Sequence, residues 1–234
     1  FIVTGVSRSF SHEFVRHRVG MSPSQLSQRF VDESVAEYVV PHDLRNEVAD
    51  ARLEMARWSP TLTAHDVLHG LAMSTVDPGR LTPFIETGLE WLAAMERATA
   101  SYREMVEHLT CKITNDAYSA YVKKQQTANL GFTSKEEHLY SPEERTAIRK
   151  QARQAARSVL PNATETKLFF TINARAARHF IELRASRHAE PEIRKVACAV
   201  WQILVKEAPN LFSDYTKVPL QDGSYELVTK YRKV

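Results

Sequence analysis

Ser11-His12-Glu13-Phe14-Val15-Arg16-His17-Arg18-Val19-Gly20-Met21-Ser22-Pro23-Ser24-Gln25-Leu26-Ser27-Gln28-Arg29-Phe30 is the stretch on which the reading of this chain turns. Arg16, His17 and Arg18 put three anion-binding side chains in a row. The polar run Ser22-Pro23-Ser24-Gln25 follows, and Ser27 and Arg29 add a further hydroxyl and a further guanidinium. Guanidinium forks suit phosphate oxygens taken in pairs. Serine and glutamine orient a ligand without adding charge. Alone, an Arg-His-Arg triplet describes a solvated basic loop. Here Phe10, Phe14 and Val15 tie it to a packed element, and this inventory suits a phosphorylated, planar, polar ligand.

Working outward, residues 1 to 6 read as a strand, and His12 to Arg18 as a short helix entering a signature loop. Tyr38-Val39-Val40 is strand-like and ends at Pro41. Leu44 to Trp58 has helical spacing, broken by Ser59-Pro60. His65 to Met73 reads as a short helix, and Asp77-Pro78-Gly79 as a turn. Leu89, Leu92, Thr99, Tyr102, Val106 and Leu109 mark a long amphipathic helix. Ile113 to Phe132 gives an ambiguous pattern, with Lys123 to Asn129 reading as a mobile polar segment and Gly131 to Tyr140 as a loop.

Ser141-Pro142-Glu143-Glu144 is a helix start with a capping box, and that helix runs to about Leu160 before Pro161. Thr171 to Ser186 and the stretch opened by Pro191 read as further helices. Asp222-Gly223 sits between apolar residues and predicts a hairpin over Val218 to Val228. The fold class is a helix-rich α+β single domain, residues 1–234, with a modest antiparallel or mixed sheet.

The 234 residues suffice for a real core, and 43% hydrophobic with 25% charged residues is ordinary for a globular protein. A net charge of +3 is too small to demand nucleic acid. No apolar run approaches the roughly 18 residues of a membrane span, and no secretory signal is seen, so the expected location is cytoplasmic. Cys111 and Cys198 form neither a zinc-type cluster nor a disulfide framework, and no metal site is expected. Both read as packing residues.

The passage from Ser24 to Arg29 resembles the signature of the flavin-dependent thymidylate synthases, although eight residues separate Arg18 from Ser27 where the family has seven. The resemblance resumes from Lys150 to Glu192, through Gln151 to Arg157, Leu160 to Thr166, Asn173-Ala174-Arg175 and Ile181 to Ala189. It weakens across residues 45–140, a divergent or insertion-bearing middle. The resemblance implies the fold of that family and an N-terminal segment before Phe1 that supplies some cofactor contacts.

The implied chemistry is methylation of uracil C5 in dUMP to give dTMP. Methylenetetrahydrofolate is the implied one-carbon donor, NADPH the reductant and FAD the cofactor. A UMP-methylating relative, as in nucleoside-antibiotic biosynthesis, is the alternative. Several relatives of this kind place the site between subunits of a homotetramer, so the resemblance implies a homotetramer with shared sites. Arg16, His17, Arg18, Gln25, Asn173, Ala174, Arg175 and His179 match flavin-contacting positions. Glu13, Arg16, Gln25, Leu26, Ser27, Gln28 and Arg29 match nucleotide-binding positions, with Ser27 orienting the pyrimidine rather than attacking it. Arg157 matches a phosphate-binding Arg, and Arg184 the essential Arg at the uracil ring. A salt bridge from Arg184 to Glu182 or Glu190 is its ordinary structural use. The family needs no cysteine nucleophile, in keeping with the apolar surroundings of Cys198 in sequence.

Overall fold

The computed structural model describes residues 1–58, 61–72, 82–135, 138 and 140–232. In chain order the elements are β1 (Ile2–Ser7), α1 (Arg8–Phe14), β2 (Met21–Gln25), a 3-10 turn (His42–Leu44), α2 (Arg45–Trp58), α3 (Ala64–Ala72), α4 (Pro83–Thr127) and α5 (Pro142–Ala156). A 3-10 turn (Arg157–Val159), β3 (Glu165–Ile172), α6 (Ala174–Arg184), α7 (Pro191–Glu207), α8 (Pro209–Phe212), β4 (Thr216–Pro219) and β5 (Tyr225–Val228) complete the order. Helices dominate and the sheets are small and antiparallel, as expected for α+β. The elements divide between two compact units. Residues 1–26, 37–46 and 162–234 form the first, and residues 27–36 and 47–161 the second.

In the first unit a sheet of order β1-β3-β2 carries the core. Thr166, Leu168 and Phe170 alternate inward from β3, while Lys167, Phe169 and Thr171 face outward. That period of two, with β-branched and aromatic residues, makes the segment a strand. It also corrects the helix expected from Thr171. Asn173 is the N-cap instead, its Oδ1 accepting from the Ala176 amide at 2.9 Å, and the helix runs Ala174–Arg184.

A second correction concerns the signature. Ser7 Oγ accepts from the Phe10 amide at 3.0 Å and starts α1 at Arg8. The helix ends at Phe14, so Arg16 to Arg18 lie beyond it rather than inside it. The polar run Ser22 to Gln25 is strand β2, paired with β3 from Met21↔Ile172 to Gln25↔Leu168. Pro23 is compatible with an edge strand, whose outer amides need no ladder partner. Tyr38 forms an isolated bridge to Thr164 rather than part of a ladder, so the strand expected at Tyr38 to Val40 is not formed.

Phe10 and Phe14 of α1, Phe180 and Ile181 of α6, and Ile193, Val200 and Trp201 of α7 bury themselves with Leu168 and Phe170 in one cluster. The hairpin expected near Asp222-Gly223 is β4–β5, and Leu227 joins this core.

In the second unit α4 is 45 residues long, about 68 Å at 1.5 Å per residue. Thr82 caps it and Pro83 begins it. It continues past Leu109 through Lys123 to Thr127, where a mobile polar segment was expected. Gly88 is the only glycine between Pro83 and Gly131, and no proline interrupts, so nothing stops the helix. At Gly88 a Cβ would lie 2.1 Å from the Glu47 carbonyl oxygen, which is how α4 and α2 come close.

The capping box on α5 forms as expected. Ser141 Oγ accepts from the Glu144 amide, and the Glu144 carboxylate accepts from the Ser141 amide. α5 ends at Ala156 and the 3-10 turn carries the chain to Val159, close to the expected end. α2 and α3 match the expected helices, while Ser59-Pro60, Met73 and Asp77-Pro78-Gly79 lie outside the described residues. The described part of Gly131 to Tyr140 is neither helix nor strand.

Candidate functional site

Arg184, in the last turn of α6, joins two parts of the signature within the first unit. Its Nη1 donates to Glu13 Oε2 at 3.0 Å, and its Nε donates to His17 Nε2 at 2.9 Å. Glu13 stands near the end of α1 and His17 in the turn beyond it. The acid expected for Arg184 was Glu182 or Glu190. Glu182 is instead buried against Tyr215, and Glu190 caps α7. Arg184 Nη2 bonds no group among the described residues, so one arm of the fork stays open.

Burial foremost, then the neighbouring Arg184 and His179, lowers the His17 pKa to about 4. The imidazole is therefore neutral at pH 7, with Nε2 accepting from Arg184 and the proton on Nδ1. A histidine held neutral binds its proton later than the unfolded chain does. Stability is thus lost as pH falls from the ordinary 6.5 towards about 4. In His17→Gln that pH dependence is expected to flatten, as read from denaturation midpoints across the range.

Arg16, Arg18, Arg175 and His179 are exposed. The three arginines have no ion-pair partner among the described residues. Rings of His17 and His179 lie 6.2 Å apart, and the His17 ring meets Phe180 edge-on at 5.1 Å. Gly20 lies against the start of α6, where its carbonyl accepts from the Asn173 amide at 2.9 Å. Its φ is +74°, and a Cβ there would sit 2.3 Å from Asn173 Nδ2. Gly20→Ala is expected to cost about 1 to 2 kcal/mol in backbone strain alone and to displace Asn173. Denaturation of the variant beside the parent checks this. Guanidinium groups with no ion-pair partner among the described residues, a polar cap and a close backbone approach fit an anionic planar ligand.

Gln25 and Leu26 close the first unit's share of the signature. Gln25 Nε2 donates to Ser11 Oγ at 2.9 Å and to Thr166 Oγ1 at 3.2 Å. The Leu26 carbonyl accepts from Arg8 Nη2 at 3.1 Å. Sequence reasoning overlooked Ser11, Thr166 and Arg8. The alternation of Thr166 with Leu168 and Phe170 was the available signal for one of them.

In the second unit Ser27, Gln28 and Arg29 precede Phe30. Gln28 is buried, and Ser27 Oγ accepts from the Arg29 amide at 3.4 Å. Arg29 Nη1 donates to Gln154 Oε1 at 3.2 Å. Arg153 donates to the Phe30 carbonyl and pairs with Asp32 at 2.8 Å. Burial raises the Asp32 carboxyl, but the hydrogen bonds from Ser34 foremost, and then Arg153, outweigh it and hold the group below its usual range. These contacts fasten the Arg29 segment to the end of α5, one turn before the exposed Arg157. Farther up the same face, Arg145 and Arg149 donate to the carbonyls of Tyr140 and Arg145.

Cys198 is buried, and burial pushes its thiol up to about 11, so it is no thiolate nucleophile at neutral pH. Cys111 is exposed on α4, which corrects the expectation that it packs inside. No helix among the described residues is long and apolar enough to cross a membrane.

A family model described as thymidylate synthase complementing protein matches residues 1–210. The chain is 38% identical over 224 residues to the flavin-dependent thymidylate synthase of Mycobacterium sp. (strain KMS), covering 96% of this chain and 65% of that protein. It is 36% identical over 224 residues to the namesake of Mycolicibacterium gilvum (strain PYR-GCK), covering 96% and 64%. With that of Mycobacterium leprae (strain TN) it shares 35% identity over 225 residues, covering 96% and 65%. The chain thus spans somewhat under two thirds of the length of these relatives. The family-model match over most of the chain, with these relatives, shows that it belongs to the flavin-dependent thymidylate synthase family.

Proposed function

We propose that this protein methylates C5 of dUMP to give dTMP, taking the carbon from methylenetetrahydrofolate and two electrons from NADPH. The balance closes with a methylene carbon and a hydride becoming the methyl group, the C5 hydrogen leaving as a proton, and tetrahydrofolate released. Bound FAD supplies the redox capacity that passes the electrons of NADPH to the transferred carbon. The observation that carries this reading is the Arg184 fork, anchored by Glu13 and neutral His17 with one arm open.

Uracil C5 is a weak nucleophile and gains strength as negative charge develops on the ring. A preorganised guanidinium stabilises that charge, and one good donor in a dry site is worth about 3 to 4 kcal/mol. Since His17 is neutral, Arg184 supplies the positive charge of the cluster. Arg16, His17, Arg18, Asn173, Ala174, Arg175 and His179 are assigned to flavin, and Gln25 to both flavin and nucleotide. Glu13, Arg16, Leu26, Ser27, Gln28 and Arg29 are assigned to the nucleotide, and Arg157 to its phosphate. A homotetramer with sites completed between subunits, acting in the cytoplasm, goes with this reading.

The test is the visible spectrum of the purified protein with added FAD, followed through titrations with dUMP and with UMP. A bound flavin whose bands shift with dUMP supports the assignment. A stronger response to UMP assigns the protein to modified-nucleotide synthesis. A protein that retains no flavin removes the reading.

A further inference from the structure

Ser11 and Thr166 are assigned no role by the family resemblance, yet both hydroxyls are almost fully buried, at 1% and 2% exposure. Their common contact is the Gln25 amide. The hydrogen of Ser11 is already committed, since its Oγ donates to the Arg8 carbonyl at 2.9 Å, one turn back in α1. Only lone pairs remain on that oxygen, so whatever meets it must be a donor. The Gln25 group facing Ser11 is therefore its amide nitrogen, and hydrogen-bond bookkeeping alone fixes the orientation. Thr166, on the inward face of β3, accepts from the same nitrogen.

Both amide hydrogens are thereby used, and Oε1 is the free end. It accepts from no group among the described residues. We propose that Ser11 and Thr166 are positioning residues that fix Gln25 as a pure acceptor, and that Gln25 recognises an N–H or O–H donor of the bound nucleotide. This rests on the assignment of Gln25 to the nucleotide made above. The donor-bearing class is a pyrimidine with its imide N–H, or the sugar hydroxyl. A ligand offering an acceptor there would meet Oε1 lone pair to lone pair and leave a buried polar group unpaired.

A flipped amide would present NH2 to the ligand and its carbonyl to Ser11. It would also force Ser11 to give up its bond to Arg8. Loss of both hydroxyls removes this bias and lets the amide rotate. The expected effect is on nucleotide affinity more than on turnover, because Gln25 acts in binding.

The experiment is a double-mutant cycle on dUMP dissociation constants, measured by calorimetry with flavin bound. Thr166→Val keeps shape and removes the hydroxyl, and Gln25→Met removes the amide. Thr166→Val is expected to weaken binding about tenfold, the equivalent of about 1.4 kcal/mol. In the Gln25→Met background the same change is expected to have no further effect. Thr166→Ser, which restores a hydroxyl, should bind like the parent, a rescue that a purely packing role would not give. Ser11→Ala serves as a parallel arm, with thermal denaturation as the check on folding. Equal losses from Thr166→Val with and without Gln25 overturn the proposal, as does unchanged affinity in Thr166→Val. Failure of the parent protein to bind dUMP overturns instead the functional reading on which it rests.

Discussion

Arg184→Lys is expected to lower the rate of dTMP formation by about a hundredfold to a thousandfold, the scale seen when one preorganised donor is lost from a reacting centre. Arg184 donates through Nη1 to Glu13 and through Nε to His17 while one arm of the fork stays open. A lysine ammonium is a single point on a flexible stem. It cannot hold both anchors and also present a planar pair of donors to a ring. The change should fall mainly on kcat, because the interaction strengthens as charge develops on the uracil. Flavin content should be retained, since Arg16, Arg18 and Arg175 are untouched. Glu13→Gln is expected to be milder. It keeps an acceptor for Nη1 but removes the charge that holds the guanidinium. Steady-state rates with a flavin-loading measurement on the same preparations check both expectations.

Phe14→Ala is expected to be the most damaging change to the fold, costing about 3 to 5 kcal/mol. The ring is fully buried and lies between three others, with centroids 5.3 Å from Phe10, 4.7 Å from Phe170 and 5.5 Å from Phe180. These neighbours belong to α1, β3 and α6, and α1 and α6 carry Glu13 and Arg184. A cavity at Phe14 therefore loosens both anchoring elements at once. Domains are stable by only about 5 to 15 kcal/mol, so the variant should unfold at a much lower denaturant midpoint. Phe14→Leu, which refills most of the space, should lose less. A midpoint for Phe14→Ala indistinguishable from the parent would mean that this aromatic cluster is not the core that holds the site.

Where local chemistry acts alone, the sequence was a sufficient guide. Ser141 with Glu144 and the Asp222-Gly223 turn rest on neighbours a few residues apart, and the helix start and the hairpin formed where expected. Where two signals competed, reading along the chain failed. Thr171 and Ile172 sit beside a run of strong helix residues, but they complete an alternation begun at Thr166, and the β3 ladder claims them. Ser22 to Gln25 looked like a polar loop because its partners, Leu168 to Thr171, lie more than a hundred residues away. The polar stretch after Leu109 does not end α4, because polarity without a glycine or a proline does not stop a helix.

The site showed the same division. The candidate arginines stood out by residue type and by likeness to the family. Geometry supplied what the sequence could not: that Arg184 takes Glu13 rather than Glu182 or Glu190, that burial keeps His17 neutral, and that Gln25 is held by Ser11 and Thr166. Each of these depends on long-range packing, to which a spacing rule along the chain is blind.

The most direct measurement is product analysis after incubating the purified, FAD-loaded protein with dUMP, methylenetetrahydrofolate and NADPH, alongside Arg184→Lys. The expected result is dTMP formed in step with NADPH consumed, and almost none from the variant although it keeps its flavin. A flavin-loaded protein that oxidises NADPH yet forms no methylated nucleotide from dUMP or UMP, or a variant as active as the parent, would contradict the account.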